Sequence, residues 1–287
     1  MTPTIWIDGK YYDKADAKIS VFDHGLLYGD GVFEGIRVYN RRVFRLHQHL
    51  ERLYASAKAT WIEIPMAADA VARLVTEAVA KSGIVDAYIR LVVTRGIGDL
   101  GLDPRKCGTP SIICIIDHIQ LWSPDRYEKG LVAISAATPI HHRESLSPRI
   151  KSLNYLSHIL AKVEGIAAGV DEVIMLDPAG FVAEASGMNL FVVTNGTVKT
   201  PPAHSGILRG VTRDAVLDLA REATYGVEEV PLSRYDLYTA NEVFLTGTAA
   251  EVIGVTKLDA RVIGSGVPGP VTKELARRFK ALATRGD

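Results

Sequence analysis

The sequence predicts a mixed α/β (α+β) chain of two domains rich in antiparallel sheet, and three observations carry that expectation. Strand-like and helix-like patterns interleave along all 287 residues without the regular alternation of a βαβ array. The pairs Asp8-Gly9 and Asn195-Gly196 sit between strand-like runs, where such dipeptides make tight antiparallel hairpins. A polar stretch containing Pro124 and Gly130, LWSPDRYEKG, divides the chain. The expected organisation is a small N-terminal α/β domain over 1–120, a linker over 121–130 and a larger C-terminal domain over 131–287.

Each element follows from a local signal. TIWIDGKYYD alternates Ile5 and Ile7 around its turn, and VFEGIRVYNRRVFRL gives two strands joined near Asn40. Leu46, Leu50, Leu53, Tyr54 and Ala57 recur at helical spacing, and a second helical pattern covers Ala67 to Lys81. AYIRLVVTR and SIICIIDHI are strand-like. The second is apolar on both faces, which places it centrally in a sheet. LVAISAA reads as a strand, and Tyr155 to Ala168 as a helix stopped by Gly169. EVIMLD runs into the turn DPAG, and NLFVVTNGTVKT forms a hairpin. Helices follow at Val211 to Thr224 and Val271 to Ala283, with the strand EVFLTG between them.

Composition excludes several classes. The 33 basic residues balance the 33 acidic ones, so the chain lacks the electrostatic footprint of a nucleic-acid or anionic-membrane binder. No apolar run is long enough to span a bilayer, and MTPTIWIDGK has no signal-peptide pattern. The two cysteines, Cys107 and Cys114, match neither a zinc motif nor a disulfide framework, so the expected compartment is the reducing cytoplasm.

Some motif-like stretches fail on physical grounds. GSGVPG (Gly264 to Gly269) has the spacing of a dinucleotide loop, but Pro268 and Pro270 fall where its helix would run. His47 and His49, two apart on a helix, point to different faces, and His141-His142 has no acidic or cysteine partner at ligand spacing. Surface or interface positions are expected for all four, and no metal site is expected. Ser186 lacks the Gly-x-Ser-x-Gly elbow of a serine hydrolase.

Other residues carry chemistry. Glu184 alternates with Val182 in FVAEASG, which turns it inward, where an acid is costly unless paired; a glutamate in water on an edge strand would explain the pattern equally well. LRGVTRDAV places Gly210, Val211 and Thr212 at a helix start, where free N–H groups suit an anion, although capping by Thr212 would explain the pattern equally well. Lys151, in PRIKSLNYLSHILAK, precedes an apolar helix; a partly desolvated amine there would be a competent nucleophile and proton carrier, although a solvated loop lysine is the ordinary reading of the residues alone.

From Glu184 onward, EASGMNLFVVTNGTVKTPPAHSGILRGVTRDAV resembles the signature of class IV aminotransferases, the fold-type IV enzymes that use pyridoxal 5′-phosphate. YGDGVFEGIR, HLERL, AYIRLVVTRGIGDLGLDP, IKSLNYL and TGTAAE extend the resemblance over nearly the whole chain, in the order found in branched-chain amino acid aminotransferases. The resemblance implies a fold-type IV architecture whose large C-terminal domain is a pseudo-barrel that binds the cofactor. It implies Lys151 as the lysine joined covalently to the cofactor aldehyde and as the proton carrier. Tyr155 would donate to the cofactor's phenolic oxygen and Glu184 would pair with its ring nitrogen. Leu208 would press on the ring, while Arg52, Val211, Thr212 and Thr248 would hold the phosphate. Without the family, Tyr155 and Leu208 would be ordinary core residues, and Arg52 a solvated arginine on its helix flank.

For substrates the resemblance implies Tyr28, Phe33, Gly35 and Tyr88 around the side chain, with Gly35 leaving room. Arg90 would accept the distal carboxylate of glutamate, since a guanidinium grips a carboxylate bidentately. Ala249, with Thr248, would flank the α-carboxylate. Leu102 would reach in from a neighbouring subunit, in a homodimer or larger homo-oligomer. LWSPDRYEKG departs from the bacterial enzymes' loop, which leaves Trp122 as a pocket candidate without a family counterpart.

The expected activity is transamination of leucine, isoleucine and valine with 2-oxoglutarate, a step of branched-chain amino acid biosynthesis. Fold relatives offer alternatives: D-amino acid or (R)-amine transamination, or aminodeoxychorismate lyase. The apolar Phe33 and the GDLGLDP stretch favour the branched-chain type. A cofactor-binding protein without turnover would be expected to lack Lys151 or Glu184, and both are present.

Overall fold

A computed structural model describes residues 3–285. Among them the chain forms two compact units, one of residues 3–119 and 150–154, the other of 120–149 and 155–285.

The first unit is built on a six-stranded sheet. Its strands are β1 (Thr4–Ile7), β2 (Lys10–Tyr12), β3 (Gly31–Tyr39), β4 (Arg42–Val43), β5 (Ala87–Thr94) and β6 (Ser111–Asp117). They pair in the order β2-β1-β6-β5-β3-β4, each pair antiparallel. At the β1–β2 turn both Asp8 and Gly9 take positive φ, as a tight hairpin requires. The apolar run of β6 does lie inside the sheet, between β1 and β5.

A short helix α1 (His24–Tyr28) precedes β3, and α2 (Leu46–Ala59) and α3 (Ala68–Ser82) cover one sheet face. Leu50, Leu53 and Ala57 of α2 and Val71, Leu74, Val75, Ala78 and Val79 of α3 meet Val32, Ile36 and Val38 of β3 and Ile89, Leu91 and Val93 of β5. Strand alternation then sorts the remaining residues by face. Glu34 lies on the helix-covered face of β3. Phe33 and Gly35, with Tyr88 and Arg90 of β5, lie on the other.

The second unit carries a nine-stranded mixed sheet that curls as a half-barrel. Its elements in chain order are α4 (Pro124–Lys129), β7 (Leu131–Ser135), α5 (Leu156–Ala167), β8 (Glu172–Leu176), β9 (Val182–Ala185), β10 (Asn189–Thr194), β11 (Thr197–Thr200), α6 (Val211–Glu222), β12 (Gly226–Glu229), α7 (Arg234–Tyr238), β13 (Glu242–Gly247), β14 (Glu251–Leu258), β15 (Arg261–Val262) and α8 (Pro270–Arg285). The order is β12-β11-β10-β13-β14-β7-β8-β9, with β15 beside β14.

Pairs β14–β7, β7–β8 and β11–β12 are parallel and the rest antiparallel. Spacing alone does not announce the eight-residue β14, nor helix α4 inside the polar stretch 121–130. Trp122, partly buried, packs against this unit's core, as does Tyr127.

Candidate active site

In the first unit the chain returns at residues 150–154 to lie along the start of β3. The amide of Phe33 donates to the Lys151 carbonyl at 2.9 Å, and that of Leu153 to the Gly31 carbonyl at 2.9 Å. Val32 and Ser152 thus form an antiparallel bridge. The Lys151 amide donates to Ser56 Oγ of α2 at 3.1 Å. The backbone of Lys151 is therefore held on both sides, and its Nζ sits 4.5 Å from the centre of the Phe33 ring.

Phe33 is the hub of a cluster on the open face of the sheet. The Arg90 guanidinium lies 4.6 Å from the centre of its ring and 5.6 Å from that of Tyr88, and donates to the Tyr88 hydroxyl at 3.3 Å. Gly35 makes this arrangement possible, because a side chain there would occupy the place of the Tyr88 hydroxyl. Lys151, Phe33, Gly35, Tyr88 and Arg90 are thus brought together. Tyr28 is tied instead to the loop that follows β5, its hydroxyl donating to the Leu100 carbonyl at 2.6 Å. Leu102, on that loop, is 79% exposed.

Arg52 is not the solvated arginine that its helix flank suggested. Its side chain is only 13% exposed. Nε donates to Glu34 Oε1 and Nη2 to Glu34 Oε2, each at 2.7 Å. His49 approaches the same carboxylate, Nδ1 to Oε2, at 2.7 Å. The expectation of a surface position is therefore wrong for His49, which is buried, whereas His47 is exposed.

Burial alone would raise the pKa of Glu34, but the charges and hydrogen bonds of Arg52 and His49 outweigh it and hold the pKa at about 2. Burial pushes the His49 pKa down, against the opposing pull of the Glu34 carboxylate. Glu34 escaped the sequence analysis although it left a signal: it alternates with Val32, Ile36 and Val38, an acid among inward apolar residues.

In the second unit Glu184, on β9, is 6% exposed, as its alternation with Val182 requires. Its Oε2 accepts from Asn189 Nδ2 at 3.0 Å and from the Leu208 amide at 3.1 Å. Asn189 Nδ2 also donates to the Leu208 carbonyl at 2.8 Å, so Glu184 and Leu208 are brought together through Asn189. Gly210 lies against Asn189 Oδ1, which a side chain at 210 would displace.

Helix α6 then begins with Gly210 at its N-cap and no side-chain cap, so the capping role considered for Thr212 is not used. Thr212 is instead buried within the first turn. The amides of Val211 and Thr212 lie in the first turn of this uncapped helix, the arrangement that binds anions.

Tyr155 precedes α5 and stacks on His158, ring centres 4.7 Å apart. Thr248 and Ala249 form the turn between β13 and β14. Just before it Thr246 is buried, and its Oγ1 lacks a hydrogen-bond partner in the structure. Asn189 and Thr246 were not singled out from sequence; apolar neighbours in NLFVV and EVFLTG masked both. Among the described residues no group of three or more His, Cys, Asp or Glu could hold a metal ion, and no helix is long and apolar enough to cross a membrane.

Comparison with known proteins gives this arrangement its family. The profile described as Amino-transferase class IV matches residues 31–258. The chain belongs to the class IV aminotransferases. Within them it is of the branched-chain type. A Methanocaldococcus jannaschii protein provisionally named a branched-chain-amino-acid aminotransferase is 51% identical, over 98% of this chain and 96% of its own. The branched-chain-amino-acid aminotransferase of Escherichia coli (strain K12) is 36% identical over 98% of this chain and 93% of its own. The branched-chain amino acid aminotransferase of T.th. with pyridoxamine 5′-phosphate superposes with a TM-score of 0.95 at 36% identity, covering 100% of this chain and 96% of that one. The same T.th. enzyme has been solved complexed with N-(5′-phosphopyridoxyl)-L-glutamate, with a TM-score of 0.94 at 36% identity over 100% of this chain and 95% of that one.

Proposed function

We propose that the chain uses pyridoxal 5′-phosphate to move the amino group of leucine, isoleucine or valine to 2-oxoglutarate, giving branched-chain 2-oxo acids and glutamate. The observation that carries this is Lys151, an amine whose backbone is pinned to β3 and α2 and whose Nζ lies over Phe33. The residues fit the cofactor. The donor set contains an amine for its aldehyde, a buried carboxylate for its ring nitrogen, and an uncapped helix start for its phosphate. A buried threonine hydroxyl without a protein partner lies beside the β13–β14 turn.

The cofactor, when bound, supplies an electron sink for the bond broken at the substrate α-carbon. Lys151 Nζ would take the proton from the substrate α-carbon and deliver it to the cofactor's C4′ carbon, help worth about 10²–10⁴-fold. Glu184 holds the ring nitrogen protonated, with Asn189 and the Leu208 amide keeping the carboxylate in place. Tyr155 donates to the phenolic oxygen, and Leu208 packs against the ring. Arg52, the Val211 and Thr212 amides and Thr248 hold the phosphate.

For the substrate, Phe33, Gly35 and Tyr88 would offer a wall to a branched side chain, with Tyr28 assigned to the same pocket by the family resemblance. Arg90 offers a cation to the distal carboxylate of glutamate, and Thr248 and Ala249 serve the α-carboxylate. The phosphopyridoxyl-glutamate bound by the T.th. enzyme supports glutamate as one partner of the exchange.

A homodimer or larger homo-oligomer completes the proposal. Leu156, Ile159, Leu160, Val163 and Ile166 of α5 are all half or more exposed, an apolar surface that a second copy would cover. The exposed Leu102 would then serve the neighbouring copy. The free thiols Cys107 and Cys114 suit the cytoplasm.

Leucine and 2-oxoglutarate supplied to the cofactor-loaded protein should yield glutamate. Borohydride reduction followed by digestion should tag the peptide containing Lys151. Failure of either result rejects the proposal.

A further inference from the structure

The buried carboxylate of Glu34 needs a reason. A paired ion inside a core is often no more stabilising than apolar side chains of the same volume, so stability does not account for it. Its geometry is more telling. Both oxygens grip Arg52, through Nε and Nη2 at 2.7 Å each, and His49 Nδ1 holds Oε2 at 2.7 Å. Glu34 itself is fully buried on β3, between the apolar Val32 and Ile36 of the same face. An arginine side chain on a helix otherwise samples many rotamers, and fixing it on a ligand costs conformational entropy. A fork-to-fork pair meets that cost at folding, before any ligand arrives.

We propose that Glu34 is a positioning residue for phosphate recognition: it presets the guanidinium of Arg52 in one orientation, with His49 fixing the carboxylate from the other side. The inference rests on the assignment of Arg52 to the cofactor phosphate made above. His49 adds a further contact to the same carboxylate, Nδ1 to Oε2 at 2.7 Å. Ser56, one turn further along the same face of α2, accepts from the Lys151 amide at 3.1 Å. The helix that presents Arg52 therefore also anchors the backbone of the proposed reactive lysine, which ties the registration of β3, α2 and Lys151 to one buried contact set.

The test compares two ligands that differ only in the phosphate. Full-length protein stripped of cofactor is titrated with pyridoxal 5′-phosphate and with pyridoxal, following absorbance. Glu34→Gln removes the charge at constant volume. Glu34→Asp keeps the charge but withdraws the carboxylate by one methylene, and it preserves the experiment if Glu34→Gln does not fold. Both variants should bind pyridoxal 5′-phosphate roughly tenfold or more weakly, the loss of about one charge-assisted hydrogen bond, with pyridoxal affinity unchanged. Equal weakening toward both ligands would mean a general structural role and overturn the inference. So would unchanged phosphate affinity, or tighter binding in Glu34→Gln, which would mark Glu34 as only an opposing charge. Arg52→Ala separates the premises. If it loses phosphate selectivity and the Glu34 variants do not, the positioning role falls while Arg52 stands. If it keeps full selectivity, the assignment of Arg52 falls and the inference with it.

Discussion

Asn189 holds Glu184 across the tight turn that joins β9 to β10: its amide donates at 3.0 Å to Glu184 Oε2 and at 2.8 Å to the Leu208 carbonyl. One side chain thereby fixes the buried acid and Leu208 of the loop before α6. Replacing it with leucine, of similar volume, leaves both acceptors short of a donor. Asn189→Leu should lower stability by about 1–3 kcal/mol, read as a shift of the urea midpoint at constant slope. Gly210→Ala should act in the same direction, since the new methyl meets Asn189 Oδ1. An unchanged midpoint in both would reject this account of the turn.

The close approach of Gly35 and Tyr88 predicts a change in specificity. The methyl of Gly35→Ala claims the space of the Tyr88 hydroxyl, which must move and take its bond to Arg90 with it. Activity toward leucine, measured as kcat/KM, should fall by about 10-fold or more, since a methylene misfit in a pocket is worth roughly 1–3 kcal/mol. Alanine, with its smaller side chain, should suffer less. Equal losses for both substrates would place the Tyr88 face outside the side-chain pocket.

Acid should unfold the first unit through its buried charge set. The folded-state pKa of Glu34 lies at about 2, below its ordinary 4.5, so its contribution is fully present above pH 4.5 and is lost as pH falls toward 2. That contribution is on the order of 3 kcal/mol. His49, with its pKa lowered by burial, adds a loss that begins earlier, below its ordinary 6.5, where the unfolded chain takes up a proton that the folded chain refuses. Stability measured by denaturant between pH 7 and 3 should therefore fall in two stages. His49→Asn should remove the earlier stage; a profile identical to the parent would contradict the assignment.

Thiol chemistry should distinguish the two cysteines. Cys114 is buried at the centre of the first sheet and burial raises its pKa to about 12, so it should stay unreactive while the protein is folded. Cys107 is half-buried, 3.3 Å from His24 Nδ1, with its pKa also raised by burial. A thiol reagent should titrate one group slowly in native protein and two in denaturant. Two reactive thiols in the native state would show that β6 opens readily.

The exposed face of α5 should report on self-association. Ile159→Glu places a charge in the middle of its apolar surface, where desolvation on contact with a second copy would be costly. Sedimentation should show a smaller assembly than the parent, with an unchanged circular dichroism spectrum. An identical sedimentation coefficient would mean that another face is used.

Much of the fold was legible in the sequence because its signals are local. Asp8-Gly9 and Asn195-Gly196 demand positive φ, and both hairpins follow. Helices α2, α3, α6 and α8 begin and end within a few residues of their apolar periodicity. The edge elements β15 and α7 were not legible, since stretches of two and five residues leave little pattern to read. The candidate residues were legible only by resemblance: periodicity made Arg52 a solvated side chain and His49 a surface one, and both expectations failed on the same unseen partner, Glu34.

By itself the sequence determined the family, the element types and the inward turn of Glu184, because turn chemistry and alternation act over a few neighbouring residues. Only the tertiary structure decided that residues 151–153 lie along β3, more than a hundred positions earlier, and that Arg52 is gripped rather than solvated. Backbone amides and carbonyls are chemically alike at every position, so which distant pair will meet is settled by the packing of whole elements and not by the residues that finally touch.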